Sequence, residues 1–110
     1  MTKEAKKEER FSNLAGMGKI LDIPVIILFD TGASHSFISR DCIEALSLEV
    51  ASIDHALNIA TPLGDSTHVT QVCPEVDIDL GMTRINARGL NVMSMDGVDV
   101  ILGLDWLTKN

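Results

Sequence analysis

Tyrosine is absent from this 110-residue chain, and it holds only two cysteines, three prolines and one tryptophan. Cys42 and Cys73 have no metal-ligand spacing and no secretory context, so they read as free thiols in a reducing, cytoplasmic compartment. No apolar run is long enough to cross a bilayer, and no signal-peptide pattern opens the chain. Basic residues are outnumbered. Nine Lys and Arg against 16 Asp and Glu leave a net charge of -7, which repels nucleic acid and anionic membrane. Internal repeats and low-complexity linkers are missing too. With 110 residues there is room for one modest core, and an apolar share of 45% argues against disorder. A single soluble domain is expected.

The most informative stretch that is present is Leu28-Phe29-Asp30-Thr31-Gly32-Ala33-Ser34. Residues 23–29 are almost wholly apolar and rich in β-branched side chains, the pattern of a buried strand. Asp30 follows directly, so its carboxylate is held by rigid backbone at the edge of a core. Gly32 lets the next turn fold against it with no Cβ in the way. Thr31 and Ser34 add hydroxyls. A turn in which Asp30 merely caps the following segment is the plainer account. A second apolar run, residues 98–102, also ends in glycine, at Gly103, and leads into Leu104-Asp105-Trp106-Leu107, the opening of a short helix.

Between these lie short strands and little helix. The pattern predicts an arm of Lys19 and Ile20 turning into residues 24–29, and one or two helical turns over residues 40–46. Residues 56–60 and 67–72 form a hairpin around 61–66, where Pro62 and Gly64 supply the turn. Residues 76–80 alternate strictly, so that strand has one wet face, whereas Gly89 interrupts residues 85–92. Pro74 is expected to end a strand or mark a bulge. Residues 1–18 read as a charged N-terminal tail or segment and residues 19–110 as the domain. The expected core is Ile23, Val25, Ile27, Phe29, Val100 and Leu102, with Trp106 beneath the Asp30 loop. The fold class is all-β with minor helix.

In order along the chain, Asp30 to Ser39, Thr61-Pro62-Leu63-Gly64 and Ile101 to Leu107 resemble the retropepsin-like aspartic protease domain of gypsy-class LTR retrotransposon polyproteins. There, an Asp-Ser/Thr-Gly-Ala loop runs into His-Ser-Phe-Ile-Ser, a Thr-Pro-Leu-Gly-like tip follows, and the segment closes on Ile-Leu-Gly-Met-Asp-Trp-Leu. The likeness spans residues 19–107. It implies the half-barrel acid protease fold with one flap hairpin and a short C-terminal helix. It also implies an aspartic endopeptidase that needs no cofactor or metal and processes a retrotransposon polyprotein.

Peptide hydrolysis needs a base to activate water and an acid to protonate the carbonyl oxygen and the leaving amine. Two carboxylates close enough to share one proton supply both roles. This chain has one motif, so the resemblance implies a homodimer with Asp30 of each subunit at a two-fold axis. Thr31 would then hydrogen-bond across the axis, and Gly32 would set its N–H against the carboxylates. Thr61, Pro62, Leu63 and Gly64 would form the flap over an extended peptide, with Ile101 walling a side-chain pocket or filling the core. The missing tyrosine separates the chain from two-domain pepsin-like enzymes, whose flap carries one. Ser34 and Leu104 stand where many retroviral enzymes carry an Asp–Arg ion pair. Retroviral chains also continue into an interleaved strand beyond the final helix, whereas this one stops at Asn110. The expectation is a dimer built differently, or a segment of a longer polyprotein.

Other chemistries fare less well. His35, His55 and His68 are not ordered toward Cys42 in any nucleophile pattern. Asp77 and Asp79 alternate on a strand and, with Asp96 and Asp99, fit a solvated face better than a cation site. Phosphate-binding Asp-Thr-Gly loops belong to ATPase folds too large for 110 residues. The rival reading is a catalytically weak or inactive retropepsin-like dimerisation or peptide-binding module. The intact Asp30-Thr31-Gly32 favours the enzyme, because a binding module has no chemical need for the acid.

Overall fold

The computed structural model describes residues 13–60 and 66–108. These form β1 (Asn13–Ile20), β2 (Ile23–Asp30), β3 (Phe37–Ser39), α1 (Arg40–Leu46), β4 (Ala51–Ala60), β5 (Ser66–Asp79), β6 (Arg84–Met93), β7 (Val100–Leu102) and α2 (Leu104–Leu107). All seven strands join one mixed sheet in the order β1-β2-β7-β3-β6-β5-β4. β2 and β7 pair in parallel, as do β3 and β6, while β7 and β3 are antiparallel. A further pairing, Lys19 with Asp79, bends β1 back onto β5 and half closes the sheet. Gly18 makes that approach possible. A Cβ there would meet the Asp79 carbonyl at 3.1 Å and Ile27 Cδ1 at 2.7 Å.

The first hairpin is longer than expected. β1 begins at Asn13 and runs in register from Asn13–Asp30 to Ile20–Ile23. Its two glycines and alanine have weak strand propensity, so the partner strand, not the local pattern, makes it a strand. Leu21 and Asp22 turn the chain with φ of 51° and 67°. Positive φ at both positions defines the two-residue turn that matches strand twist. Leucine adopts it against its own preference.

β2 is not buried on both faces. Val25 and Ile27 lie inside, whereas Ile23 is 49% exposed and Ile26 38%. The expected core position of Ile23 is therefore corrected, since this residue closes the hairpin at the sheet's margin. Val100 and Leu102 are buried as expected, and Phe29 and Trp106 pack part-buried against them. Pro74 is also corrected, because it sits inside β5. The ladder to β6 holds one register on either side (Cys73–Leu90, Glu75–Arg88) and omits only the Pro74–Gly89 rung.

Two apolar clusters form on opposite faces of the sheet. One gathers Val25, Ile27, Ile38, Cys73, Ile78, Leu90, Val100 and Leu102, among others, under α1. The other holds Phe37, Ile59, Val69, Met93, Met95 and Ile101. Neighbours such as Phe37 and Ile38, or Val100 and Ile101, face opposite ways, so β3 and β7 are buried on both sides. Each such side chain contributes roughly 1.5–3 kcal/mol. α1 starts where Ser39 Oγ accepts the Cys42 N–H at 3.0 Å, and it ends at Ser47 in the left-handed conformation. β4 and the first half of β5 form an arm that is mostly exposed and held to the body through Ile59 and Val69.

Candidate active site

β2 delivers Asp30 as its last residue, and the residue is only 5% exposed. A buried charge costs several kcal/mol unless hydrogen bonds replace its water. The Gly32 N–H donates to Asp30 Oδ1 at 2.8 Å, and the Ala33 N–H donates to the Asp30 backbone carbonyl at 3.2 Å. A Cβ on Gly32 would stand 3.2 Å from Asp30 Oδ1, a tight contact that the carboxylate would have to ease by shifting. Thr31 and Gly32 are exposed beside the buried acid. The three expected catalytic residues thus form one loop, with the acid set in the protein and its neighbours presented outward.

A second loop braces the first. Pairing of Phe29 with Leu102 sets the two strand ends side by side, so Gly103 comes against the Asp30 loop. The Leu104 N–H donates to the Ala33 carbonyl at 2.7 Å. Ser36, 1% exposed, accepts the Gly103 N–H on its Oγ at 3.0 Å and donates from it to Asp105 Oδ1 at 2.6 Å. Its carbonyl accepts both the backbone N–H and the Nδ2 of Asn91, each at 3.0 Å. Ser36, Asn91 and Asp105 were given no role from sequence, although Ser36 and Asp105 belong to the motifs quoted above. A polar residue inside the apolar run Leu90-Asn91-Val92-Met93 was the available sign of Asn91.

The expected substrate contacts fare unequally. Thr61, Pro62, Leu63 and Gly64 lie outside the described residues. The strands that carry them are in place, pairing up to Ala60–Ser66. Ile101 is 1% exposed in the second apolar cluster, close to Phe37 and Met93 rather than on an open wall. An open cavity of about 400 Å³, lined by Lys19, Leu21, Asp22, Leu48, Glu75 and Arg84, lies at the far end of the first hairpin and has no part in this chemistry.

The rival nucleophile loses ground. Cys42 is buried in the core, where burial first, then the Asp99 carboxylate and Cys73, push its thiol up to about 11. Burial also raises Cys73, against a lowering hydrogen bond from its Sγ to the Glu75 carbonyl. Neither offers thiolate near neutral pH. Among the described residues no group of three or more His, Cys, Asp or Glu is placed to hold a metal ion. Asp77 accepts from Asn86 Nδ2 at 2.8 Å and Asp79 from the Gly81 N–H at 2.8 Å, so both serve the sheet and its turn. No described helix is long and apolar enough to cross a membrane.

A family profile described as retroviral aspartyl protease matches residues 2–110. No curated protein sequence matches the chain significantly. Among solved structures, the retroviral protease-like domain of Ddi1 from Leishmania major is similar at 18% identity, with 88% of this chain and 72% of that one covered and a TM-score of 0.59. A retropepsin-like aspartic protease from Rickettsia conorii aligns over 91% of this chain and 74% of its own, at 14% identity and a TM-score of 0.58. The foamy viral protease-reverse transcriptase, solved with an RNA/DNA hybrid, matches at 15% identity and a TM-score of 0.54 over 90% of this chain and 12% of that one. The mostly β architecture with little helix is thus the retropepsin-like fold.

Proposed function

The chain belongs to the retroviral aspartyl protease family, and on that premise we propose that it is an aspartic endopeptidase active as a homodimer. Each subunit contributes one Asp30. One carboxylate takes a proton from water as the water attacks the peptide carbonyl, while the other donates the shared proton to the carbonyl oxygen. Collapse of the tetrahedral adduct breaks the C–N bond, and a proton passes to the leaving amine. The observation that carries this reading is Asp30 itself, a residue only 5% exposed whose carboxylate accepts the Gly32 N–H and whose loop is braced by Gly103. Such investment in placing one acid has a purpose in catalysis and none in simple peptide binding.

Thr31, exposed beside the acid, is the residue that hydrogen-bonds across the axis to the partner's loop. The β4–β5 arm carries residues 61–64 as the flap, and its backbone pairs with an extended substrate. The substrate is a polyprotein of gypsy-class retrotransposon type, and the Asp30–Ser39 and Ile101–Leu107 motifs support that origin. Two buried free thiols suit a cytoplasmic setting.

A peptide-library digest read by mass spectrometry, from acid to neutral pH, tests the activity. Wild type cleaves best in acid, where the pair of carboxylates holds one proton, and Asp30→Asn does not cleave at all. Equal cleavage by both proteins, or none by a wild type shown to be dimeric by sedimentation, overturns the reading.

A further inference from the structure

Thr31 to His35 form an arch between two anchors. At one end, Asp30 is paired with Asn13 of β1 and directly follows Phe29, the last residue of β2 paired with β7. At the other, Ser36 is buried and hydrogen-bonded through both its hydroxyl and its carbonyl. Its hydroxyl uses its proton on Asp105 and a lone pair on the Gly103 N–H, and its carbonyl uses both lone pairs on Asn91. The separation of 2.6 Å between Ser36 Oγ and Asp105 Oδ1 is that of a hydroxyl donating to a carboxylate, the stronger class of hydrogen bond. Asp105 is half-buried in the first turn of α2, 69 residues further along the chain. Most of the arch is exposed, with Thr31, Gly32, Ser34 and His35 all at the surface. Its own packing therefore does little to fix where Gly32 points.

We infer that Ser36 and Asp105 are a positioning pair for Asp30, a hydrogen-bonded lock that sets the arch against the β7–α2 turn and so aims the Gly32 N–H at the catalytic carboxylate. The inference rests on the protease reading for its consequence in catalysis, although the lock itself can be measured without any turnover. Ser36 touches no reacting atom. It acts through the arch, whose Ala33 carbonyl is also tied to the Leu104 N–H at 2.7 Å. Without the hydroxyl, Gly103 loses its acceptor and Asp105 its donor, and the tie between the arch and the β7–α2 turn is reduced to bonds such as that from the Leu104 N–H to Ala33. The acid then samples positions away from its working geometry, which slows the bond-making step more than it weakens substrate binding.

Two readouts on the dimeric protein test this. In the first, Ser36→Ala lowers kcat about 10- to 100-fold with KM changed by less than about 2-fold, the response to a displacement near 1 Å. Ser36→Thr, which keeps a hydroxyl, recovers most of the rate. Asp105→Leu behaves as Ser36→Ala does, and the double variant is no worse than the worse single one, because both remove the same lock. In the second, read by NMR, the Gly32 amide of Ser36→Ala shifts away from its hydrogen-bonded position and exchanges faster, while core amides such as those of Ile78 and Leu90 are unchanged. Should Ser36→Ala fail to fold, Asp105→Leu at its half-buried position carries the same comparison. A wild type that cleaves nothing defeats the protease reading, and the Gly32 amide still decides the lock. Unchanged kcat and an unchanged Gly32 amide in both variants overturn the inference. So does a uniform loss of protection across the core, which would mark a merely structural pair.

Discussion

Replacing Gly103 by alanine tests how closely the two loops are fitted. Gly103 has φ of -96° and ψ of -169°, extended backbone that any residue adopts, so its conformation is no reason for glycine. Space is the reason. A Cβ there would stand 2.7 Å from the Ala33 carbonyl oxygen and 2.9 Å from the His35 carbonyl carbon, and closer still to the His35 oxygen. All of these are backbone atoms that no rotamer change can move. Forcing the loops apart costs roughly 1–3 kcal/mol, as overpacking does. It also stretches the bonds from the Leu104 N–H to Ala33 and from the Gly103 N–H to Ser36, at about 1 kcal/mol each. A loss of about 3–5 kcal/mol is a large share of the roughly 5–15 kcal/mol that holds a domain of this size.

Trp106 is the single tryptophan, part-buried against the core three residues from the substitution, and its fluorescence reports urea unfolding. With a slope of roughly 1.5 kcal/mol/M, the midpoint of Gly103→Ala falls by about 2–3 M. Gly97→Ala is the control. Gly97 has φ of 78° with no atom within 4 Å of an added Cβ, so only the left-handed backbone is penalised, by about 1–2 kcal/mol. A Gly103→Ala midpoint within about 0.3 M of wild type, or above that of Gly97→Ala, would refute the argument that backbone contact dictates this glycine.

Other tests use the same assay or sedimentation. Leu21→Asn combined with Asp22→Gly places residues tolerant of positive φ in the first turn and should raise stability by about 1 kcal/mol, where a lower urea midpoint would contradict the turn assignment. Because folding raises the Cys42 thiol from 9.0 to about 11, the associated stability is whole below pH 9 and is lost as pH climbs through about 11. The wild-type midpoint should fall over that range and Cys42→Ala should fall less, so parallel curves would exclude Cys42 as the cause. Asp30→Asn removes like charges from the proposed two-fold axis, and its dimer should be at least as tight as wild type near neutral pH by sedimentation. Weaker association would argue that the two acids do not meet.

Structure was legible where it was local. The Asp30-Thr31-Gly32 loop, the strand before it and the run into Gly103 are written in contiguous residues, because an apolar β-branched stretch ending in glycine has few other ways to fold. The helix over Arg40–Leu46 was legible for the same reason, with Ser39 placed to cap it. So was the alternation of residues 76–80, where Val76 and Ile78 are buried and Asp77 faces solvent.

What the sequence did not disclose depends on partners far away in the chain. β1 is a strand from Asn13 because β2 offers it a ladder, not because glycine and alanine prefer one. Ile23 looks like core in its own run and is half exposed because it closes the first hairpin, paired with Ile20, at the margin of the sheet. Pro74 continues a strand because the lost rung falls opposite Gly89, which no local pattern could align. The bracing of the acid is the clearest case. Ser36, Asn91 and Asp105 are far apart in the chain and come together only when β3 pairs in parallel with β6 at Phe37–Asn91 and antiparallel with β7 at Phe37–Ile101. The sequence by itself determined which residue carries the charge and that glycines must surround it, since sterics and hydrophobic period act over a few residues. Only the tertiary structure decided where that charge is held, because its supports come from three strands and a helix whose proximity is a property of the whole sheet.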